Sequence, residues 1–579
     1  MRLRMRKSVW HVLLFLLAMG SPAFVGQPED RQGREVQSAR VDELFAPWDR
    51  PDSPGCAVGV IKDGRFIYKR GYGMANLEHH IPISPTTVFR IGSTSKQFTA
   101  ATVVLLAQRG KLSLDDDIRK YLPEMPDYGT PITIRHLIHH TSGIRDYLTL
   151  MDLAGMRPDD FYTDEEVLDL LARQRELNFK PGDDFLYSNS GYFLLSLIVK
   201  RATGKSLREL ARELIFEPLG MNHTHFHDDH TMIVENRASG YAPKEGGGFK
   251  ISMTTLDMVG DGGLFTSVED LFRWDQNFYH PRVGGRALID QLLTPGTLND
   301  GKTLDYAFGL RLGEYKGLRM ISHGGAFVGF RAEMIRFPEQ RFSVICLCNL
   351  STINPSRLAR QVADIFLADQ MRPEAKAAGA GERPSVRLSE RELSAMTGAF
   401  YDPETGAVWQ ISTAEGMLIA KVGRRRFRLM PITRWRFRAM NAPVHIEVSF
   451  EERSGAAPSR LRVHVEGRRP VVLERVRLVS PTPDALRKYV GTYFSEELQV
   501  GYNVVLKDGR LYLRHENKYK HSPRDPLQPT LADWFTVSGL HLHFLRDERG
   551  NITAFTMNAD RVKHLRFVRR PRVNVRTER

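Results

Sequence analysis

Two residues three positions apart are the first sign of chemistry in this chain. Ser93 and Lys96 open a segment whose apolar residues recur at three- and four-residue spacings as far as Gly110, which predicts a helix starting at or next to Ser93. Residues i and i+3 share a helix face, so the amine lies beside the hydroxyl. Such a serine can be a nucleophile in acyl transfer. Alone, the pair is more often a helix cap followed by a solvated lysine.

A phenol and an amide form the second group. Tyr187 and Asn189 follow a Pro-Gly turn, and side chains two apart in an extended segment point the same way, so both can face one pocket. A helix from 192 to 202 is predicted next, ended by Gly204. The alternative is a turn whose asparagine caps that helix and whose tyrosine packs.

The third group is His323, Gly324 and Gly325, flanked by strand-like runs. Glycine in a strand suits close approach of a ligand to the backbone. The alternative is an ordinary histidine at a strand edge.

Taken in this order, the three groups resemble the penicillin-recognising serine hydrolases, which include class C-type β-lactamases, DD-peptidases, D-aminopeptidases and related esterases. Segments 71–76, 139–144, 217–221 and 262–267 are also similar to that family, in its usual order. The resemblance covers roughly residues 38–370.

The resemblance implies a fold and a set of roles. The fold is α+β, an antiparallel sheet flanked by helices with an all-helical subdomain. Ser93 forms an acyl-enzyme, the backbone N–H groups of Ser93 and Ala326 form the oxyanion hole, and Asn189 orients Lys96 and the substrate amide. No cofactor is implied.

The base that takes the Ser93 proton stays open between Lys96 and Tyr187. Free tyrosine and lysine side chains have pKa values of about 10, so neither is a good base at neutral pH unaided. Lys96 can stabilise a Tyr187 phenolate, or the two can relay one proton. The sequence does not choose between these schemes.

The third group departs from many relatives, which carry Lys-Thr-Gly there to bind a substrate carboxylate. His323 is a weaker anchor and Gly324 has no hydroxyl. We therefore predict a hydrolase of peptides or amides of D-amino acids, or of related esters, with a small molecule or short peptide as substrate. The alternatives are β-lactamase or DD-carboxypeptidase activity, and a non-catalytic structural or cell-wall-binding relative.

Two sets of potential metal ligands are interpreted as incidental. Residues 225–230 have the His-x-His-x-Asp-His pattern of zinc hydrolases, but the expected preceding strand and following glycines are missing, which favours a surface loop. Zinc is the alternative. Cys56, Cys346 and Cys348 lie in strand-like stretches, and two cysteines two apart in one strand cannot easily bridge. We expect neither a metal nor a disulfide framework.

The N-terminus resembles a signal peptide over 1–26, since basic residues precede a short apolar run and small residues. This predicts a secreted or periplasmic protein; a retained anchor is the alternative. The net charge of +14 is consistent with association with an anionic cell-wall or membrane surface, or with exposed arginines on strands. No nucleic-acid-binding motif is found, and the oligomeric state is not predicted.

The length of 579 residues implies several domains. We assign 35–371 to the hydrolase domain, 372–388 to a linker, and 389–478 and 483–571 to two small antiparallel barrel-like domains. A repeat supports the last two: Gly398 and Gly416 recur, with their neighbours, at Gly491 and Gly509. This layout resembles the D-aminopeptidases of the family; the alternative is one larger sandwich.

Overall fold

The computed structural model describes residues 28–571 except 158, 373–385, 424, 441, 443–445, 453–456, 466–469 and 517–522. The predicted signal peptide and most of the predicted linker lie outside these residues. Within them, no helix is long and apolar enough to cross a membrane.

The described part of the hydrolase region combines helices with short and long strands, as the predicted α+β class requires. Its helices are α1 (Pro28–Phe45), α2 (Lys96–Gln108), α3 (Ile134–Ile138), α4 (Tyr147–Ala154), α5 (Asp164–Ala172), α6 (Asn189–Thr203), α7 (Leu207–Ala211), α8 (Glu217–Leu219), α9 (Val268–Asn277), α10 (Gly285–Leu292) and α11 (Pro355–Leu367). Its strands are β1 (Cys56–Lys62), β2 (Arg65–Tyr72), β3 (Met74–Asn76), β4 (Ile81–Pro82), β5 (Phe89–Arg90), β6 (His225–Phe226), β7 (Tyr241–Pro243), β8 (Phe249–Ile251), β9 (Leu264–Thr266), β10 (Arg311–Tyr315), β11 (Leu318–Phe327), β12 (Phe330–Phe337) and β13 (Phe342–Cys348).

One antiparallel sheet organises this region, in the order β10-β11-β12-β13-β1-β2. Its outer face packs on α1 and α11 through an apolar cluster that includes Phe45, Ile335 and Val362. Its other face packs against α9 and against the 3₁₀ turn that leads into α2. The residues of α2 from Lys96 to Leu106 are all buried. A mostly apolar helix is stable when other elements surround it, and α6, α7 and α10 pack against α2.

Two all-β units follow. The first contains α12 (Glu390–Met396) and a closed barrel of β14 (Gly398–Tyr401), β15 (Val408–Ala414), β16 (Met417–Val422), β17 (Arg425–Pro431), β18 (Arg436–Met440), β19 (Ile446–Phe450), β20 (Arg460–Val465) and β21 (Val471–Val476). The second contains α13 (Pro483–Leu486) and a sheet in the order β24-β23-β22-β29-β28-β27-β26-β25. Its strands are β22 (Gly491–Ser495), β23 (Val500–Lys507), β24 (Arg510–His515), β25 (Gln528–Pro529), β26 (Trp534–Val537), β27 (Leu540–Arg546), β28 (Ile552–Ala559) and β29 (Val562–Arg569). The prediction of two barrel-like units is confirmed.

The last unit docks on the hydrolase region. Tyr502 on β23 donates its hydroxyl hydrogen to the carbonyl of Leu153 on α4, at 3.0 Å. Nearby, Arg145 forms a buried ion pair with Glu497, 2.7 Å long. The apolar cores of the two parts are continuous, so the last unit is part of the site's surroundings.

Candidate active site

Ser93 lies in a 3₁₀ turn, Gly92–Ser95, that leads directly into α2. The turn packs against β11: the Thr94 hydroxyl donates to the carbonyl of His323 at 3.1 Å. A Cβ added at Gly325 would lie 1.8 Å from the carbonyl oxygen of Ile91. Glycine is therefore required there for the strand to reach the turn that carries Ser93.

Lys96 is completely buried beside Ser93. Its Nζ lies 3.3 Å from Ser93 Oγ, 3.0 Å from Asn189 Oδ1 and 2.5 Å from the carbonyl oxygen of Asp261. The i, i+3 spacing predicted the first contact. The Asp261 carbonyl was missed, although this residue directly precedes segment 262–267.

Asn189 is the first residue of α6, which begins three residues before the predicted start. Its side chain does not cap the helix but meets Lys96, and its backbone N–H donates to Asp146 Oδ2 at 2.7 Å. Asp146 is buried and accepts from the backbone N–H of Thr149 at the start of α4. The Asp146 carboxylate thus links the N-termini of α4 and α6 beside Lys96.

Tyr187 presents its ring to the lysine and keeps its hydroxyl free. Lys96 Nζ lies 4.8 Å from the centroid of the Tyr187 ring. The Tyr187 hydroxyl is buried and has no hydrogen-bond partner among the described residues. A buried unpaired hydroxyl is costly, which is typical of a group kept for a ligand.

His323 is buried, and both of its ring nitrogens are in use. Nδ1 donates to the Gly324 carbonyl at 2.7 Å, and Nε2 lies 3.0 Å from the Tyr306 hydroxyl. Burial, followed by the charge of Lys96, lowers the pKa of His323 to about 3, so the ring is neutral and Nε2 accepts from Tyr306. His323 was predicted to bind the substrate, but neither of its ring nitrogens is free to do so.

Gly324 faces the other side of the sheet. A Cβ there would lie 2.9 Å from Glu333 Oε2, whereas one at Gly325 would meet Ile91 and Thr94. Neighbouring strand residues alternate between faces. Of the His-Gly-Gly string, Gly325 faces the serine turn and Gly324 faces α11.

A narrow cavity of about 40 Å³ opens over Ser93. Asn189 and Ala326 line it, and Ala326 is exposed at its edge. Its apolar wall consists of Leu148, Leu256, Met258 and Phe327. Ser93 and Ala326, whose N–H groups were predicted to form the oxyanion hole, therefore border the same space.

Two charged residues that the motifs did not reveal also line this cavity. Arg90 is 5% exposed and Asp261 is 6% exposed. Burial raises the pKa of Asp261 to about 6, with Lys96 opposing and Asp146 reinforcing that shift. Burial lowers the pKa of Arg90. The cavity therefore has a buried acid and a buried cation on its walls.

The hairpin between β28 and β29 brings Arg561 to the site from the far end of the chain. The Arg561 carbonyl accepts from Asn178 Nδ2 at 2.9 Å, and the Lys563 N–H donates to Asn178 Oδ1 at 2.7 Å. The Arg561 guanidinium lies 3.5 Å from Asp146 Oδ2. No sequence signal identified this residue, because only the docking of the last unit places it here.

The histidines of 225–230 have partners within the protein. His225 lies on β6 and its Nε2 is 3.4 Å from His227 Nδ1, while His230 pairs with Asp257 at 2.7 Å. Asp228 pairs with Arg208. The expectation of a surface loop was wrong for His225 to His227, because pairing of β6 with β9 makes His225 half-buried and His227 buried.

The expectation of no disulfide was also wrong. Cys56 and Cys348 form one, because β1 and β13 are antiparallel neighbours that place these residues directly opposite each other. The sequence pattern shows that Cys346 and Cys348 share one strand, but it does not show that β1 pairs with β13. Cys346 remains a buried free thiol. These three are the one close group of potential metal ligands found in the described chain, and the disulfide occupies two of them.

The comparisons agree with this geometry. The family model described as "Beta-lactamase" matches residues 41–368. A D-aminopeptidase of Gluconobacter oxydans (strain 621H) is 32% identical over 363 residues, which are 63% of this chain and 66%, just under two thirds, of that protein. A D-aminopeptidase of Brucella melitensis biotype 1 is 28% identical over 527 residues, 87% of this chain and 93% of the relative. The octameric penicillin-binding protein homologue from Pyrococcus abyssi shares the fold, with 24% identity and a TM-score of 0.53 over 76% of this chain and 99% of its own.

Proposed function

Because the chain belongs to the beta-lactamase family and is a serine hydrolase, we propose that it hydrolyses amides and peptides that begin with a D-amino acid residue. The observation that carries the reaction is the contact of Lys96 Nζ with Ser93 Oγ at the base of a narrow cavity. The substrate class is supported by the curated relatives, which are D-aminopeptidases.

The hydrogen bonds around Lys96 favour it as the base. Lys96 acts as the base in the form that has lost its proton, whereas in the resting enzyme its positive charge acts on His323 and Asp261. A neutral amine has two N–H groups and one lone pair. Asn189 Oδ1 and the Asp261 carbonyl are acceptors only, and they use the two N–H groups. The lone pair is then directed at the Ser93 hydroxyl, 3.3 Å away. Ser93 Oγ attacks the carbonyl carbon while its proton passes to Lys96 Nζ, which becomes an ammonium ion.

The leaving group requires a proton in the second half of acylation. The C–N bond of the tetrahedral intermediate breaks, and the amine nitrogen takes the proton that Lys96 carries. The unpaired Tyr187 hydroxyl is available to relay that proton: it gives its own proton to the nitrogen and takes the one that Lys96 carries. Tyr187 is thus proposed to assist the leaving group, with its ring facing the Lys96 ammonium.

The negative oxygen of the intermediate needs donors. We assign these to the backbone N–H groups of Ser93 and Ala326, which border the cavity. Loss of one such donor typically raises the barrier by about 3 kcal/mol. Water then attacks the acyl-enzyme carbonyl carbon while Lys96 takes a proton from it. The bond between that carbon and Ser93 Oγ breaks, Oγ takes the proton back from Lys96, and the free D-amino acid leaves.

The size of the cavity supports a preference for short side chains. About 40 Å³ is free beside Ser93, against the wall of Leu148, Leu256, Met258 and Phe327. A long aromatic side chain would have to displace these residues. We therefore propose D-alanine derivatives as better substrates than D-phenylalanine derivatives.

Export to an oxidising compartment is part of the proposal. The basic and apolar N-terminus supports it. The Cys56–Cys348 disulfide supports it independently, since structural disulfides persist mainly outside the reducing cytosol.

The test uses the full chain with D-alanine and L-alanine p-nitroanilides and a fluorescent fluorophosphonate. We expect hydrolysis of the D-anilide, and loss of both hydrolysis and labelling in Ser93→Ala. Ser95→Ala is the matched control: Ser95 is buried in the same turn and its hydroxyl bonds to the Gly92 carbonyl. Preference for the L-anilide, or labelling of the Ser93→Ala variant, would contradict the proposal.

A further inference from the structure

Acyl transfer leaves one buried carboxylate of the cavity unused. Asp261 contributes only its backbone carbonyl to Lys96, at 2.5 Å. Each of its carboxylate oxygens accepts from the Tyr147 hydroxyl at 3.3 Å, and the described residues provide no further hydrogen bond or ion pair to it. An ionised carboxylate has about four acceptor positions, so this group keeps unused acceptor capacity, and the residue lines the cavity.

The nearby cation does not satisfy it. The Arg90 guanidinium donates through Nη2 to the Leu256 carbonyl at 3.3 Å and lies 5.2 Å from the centroid of the Phe327 ring. Among the residues that the structure describes, the Arg90 Nε is buried without a partner, and the guanidinium forms no ion pair with Asp261. A buried acid that lacks a close counter-ion is unfavourable unless a ligand supplies one.

The position of Asp261 relative to the reacting atoms limits what that ligand is. Lys96 Nζ contacts both the Asp261 carbonyl and Ser93 Oγ, so the residue lies beside the nucleophile. In an amino-acid amide, the α-nitrogen is two bonds from the carbonyl carbon that the serine attacks. A substrate carbonyl at Ser93 therefore carries its α-nitrogen within the same small cavity.

We propose that the Asp261 carboxylate binds the free α-ammonium group of the substrate's N-terminal residue. This inference rests on the proposed function and names the residue that selects an unblocked N-terminus. The Asp261 carboxylate has one neutral hydrogen-bond partner, Tyr147. An ammonium ion supplies it with further N–H donors and with a positive charge. An N-acylated substrate brings neither, and leaves Asp261 buried and unpaired.

The charges around Asp261 keep it ionised at neutral pH. Burial raises the pKa of Asp261 to about 6; Lys96 and Arg90 oppose that shift, Asp146 adds to it, and the Tyr147 hydroxyl stabilises the ionised form. Below about pH 6 the group becomes neutral and cannot pair with the ammonium ion. Protonation of the base lowers the turnover of both substrates in acid, and turnover of a free-amine substrate should fall further below about pH 6, where a blocked substrate shows no additional loss.

The experiment compares D-alanine p-nitroanilide with N-acetyl-D-alanine p-nitroanilide. We expect Asp261→Asn to lower kcat/KM for the free amine at least 100-fold and to change that for the acetylated substrate less than fivefold. Asp257→Asn is the matched control: Asp257 pairs with His230 and does not line the cavity. It should leave the ratio of the two substrates unchanged. Fluorophosphonate labelling checks that each variant has a folded site.

Two results would overturn the inference. One is an equal loss for both substrates in a variant that still labels, which would assign Asp261 to positioning Lys96. The other, independent of any variant, is an identical acid limb for both substrates in the wild type. Failure of the proposed function is distinguishable, since the wild type would then label with fluorophosphonate yet hydrolyse neither anilide; such a result would remove the inference as well.

Discussion

The guanidinium carbon of Arg561 lies 5.1 Å from the centroid of the Tyr187 ring, so the last β unit reaches the centre that contains Ser93. Its backbone is fixed separately, through the carbonyl contact with Asn178 and the N–H of Asp146 at 3.4 Å. The backbone contacts thus hold the hairpin independently of the side chain, which adds the ion pair with Asp146 beside the site.

Arg561→Ala should lower activity while leaving stability almost unchanged. The cation lies near both Tyr187 and the Asp146 carboxylate that holds the Asn189 N–H. We expect kcat/KM for the D-anilide to fall about tenfold. The Arg561 side chain is 32% exposed, and its partner Asp146, which is 2% exposed, keeps the N–H donors of Asn189 and Thr149. The unfolding free energy should therefore change by only about 1 kcal/mol.

Arg561→Lys is the control, since it keeps the charge at this position. It should recover part of the activity. An Arg561→Ala variant as active as the wild type would show that the hairpin is only a structural contact.

Lys96→Ala and Tyr187→Phe should separate the two candidate bases. Without the amine, acylation by both a p-nitrophenyl ester and a p-nitroanilide should fall by about 100- to 10,000-fold. Without the phenol, the ester should be hydrolysed within about fivefold of the wild-type rate, because nitrophenolate leaves without a proton. The anilide should lose about 100-fold or more. Equal losses for both substrates in Tyr187→Phe would assign the base to Tyr187.

Local patterns predicted much of this architecture. The repeat of Gly398 at Gly491 corresponds to strands β14 and β22, each preceded by a short helix. The recurrence of Gly416 at Gly509 marks the turns into β16 and β24. The i, i+3 rule likewise placed Lys96 beside Ser93, since it depends on helix geometry alone.

Tertiary packing determined what the sequence did not predict. The disulfide depends on β1 lying beside β13, and the position of Arg561 depends on the docking of a separate unit. The interpretation of His323 as a substrate-facing group considered its spacing but not its burial. Asp261 directly precedes segment 262–267, so its position in the sequence pointed to the site. Its contacts with Lys96 on α2 and Tyr147 on α4 depend on tertiary packing.

The disulfide determines how many cysteine thiols react with an alkylating reagent before and after reduction. Under denaturing conditions one thiol, that of Cys346, should react before reduction, and three after it. Cys56→Ser should lower the unfolding free energy by about 2–5 kcal/mol, whereas Cys346→Ser should retain the disulfide. Intact mass after alkylation measures the first result and thermal unfolding the second. Three reactive thiols in unreduced, exported protein would contradict the pairing.

Acid should destabilise the fold through its buried neutral histidines. The pKa of His323 is about 3 in the folded chain and about 6.5 when unfolded. Between these values the unfolded chain binds a proton that the folded chain does not, so stability falls as pH drops from 6.5 towards 3. His139, whose pKa is lowered to about 4 by burial, acts in the same direction.

His323→Asn removes one of the histidines whose protonation destabilises the fold in acid. Its Tm at pH 7 should be lower, since the bond to Tyr306 changes, but its further decrease between pH 7 and pH 5 should be smaller than that of the wild type. Parallel Tm curves for the two proteins would show that His323 is already protonated or solvated in the folded state.

The ion pair between Arg145 and Glu497 should contribute far more to the interface than a surface pair. The side chains are 0% and 6% exposed, and Glu497 Oε1 also accepts from the backbone N–H of Arg175 at 2.7 Å. Glu497→Gln keeps the shape but leaves the buried guanidinium without its counter-charge, which costs about 3–5 kcal/mol. Within the described part of the chain, the acceptors that Arg145 then retains are neutral, namely Gln174 Oε1 and the Lys563 carbonyl.

Glu124→Gln is the matched control for this substitution. Glu124 pairs with Arg201, with side chains 40% and 37% exposed, so its loss should cost no more than about 1 kcal/mol. Urea unfolding of both variants measures the difference, and limited proteolysis reports whether the last unit loosens first. Because the Arg561 hairpin depends on this interface, Glu497→Gln should also lower D-anilide hydrolysis before global unfolding begins. Equal midpoints for the two variants would show that the buried pair does not hold the last unit in place.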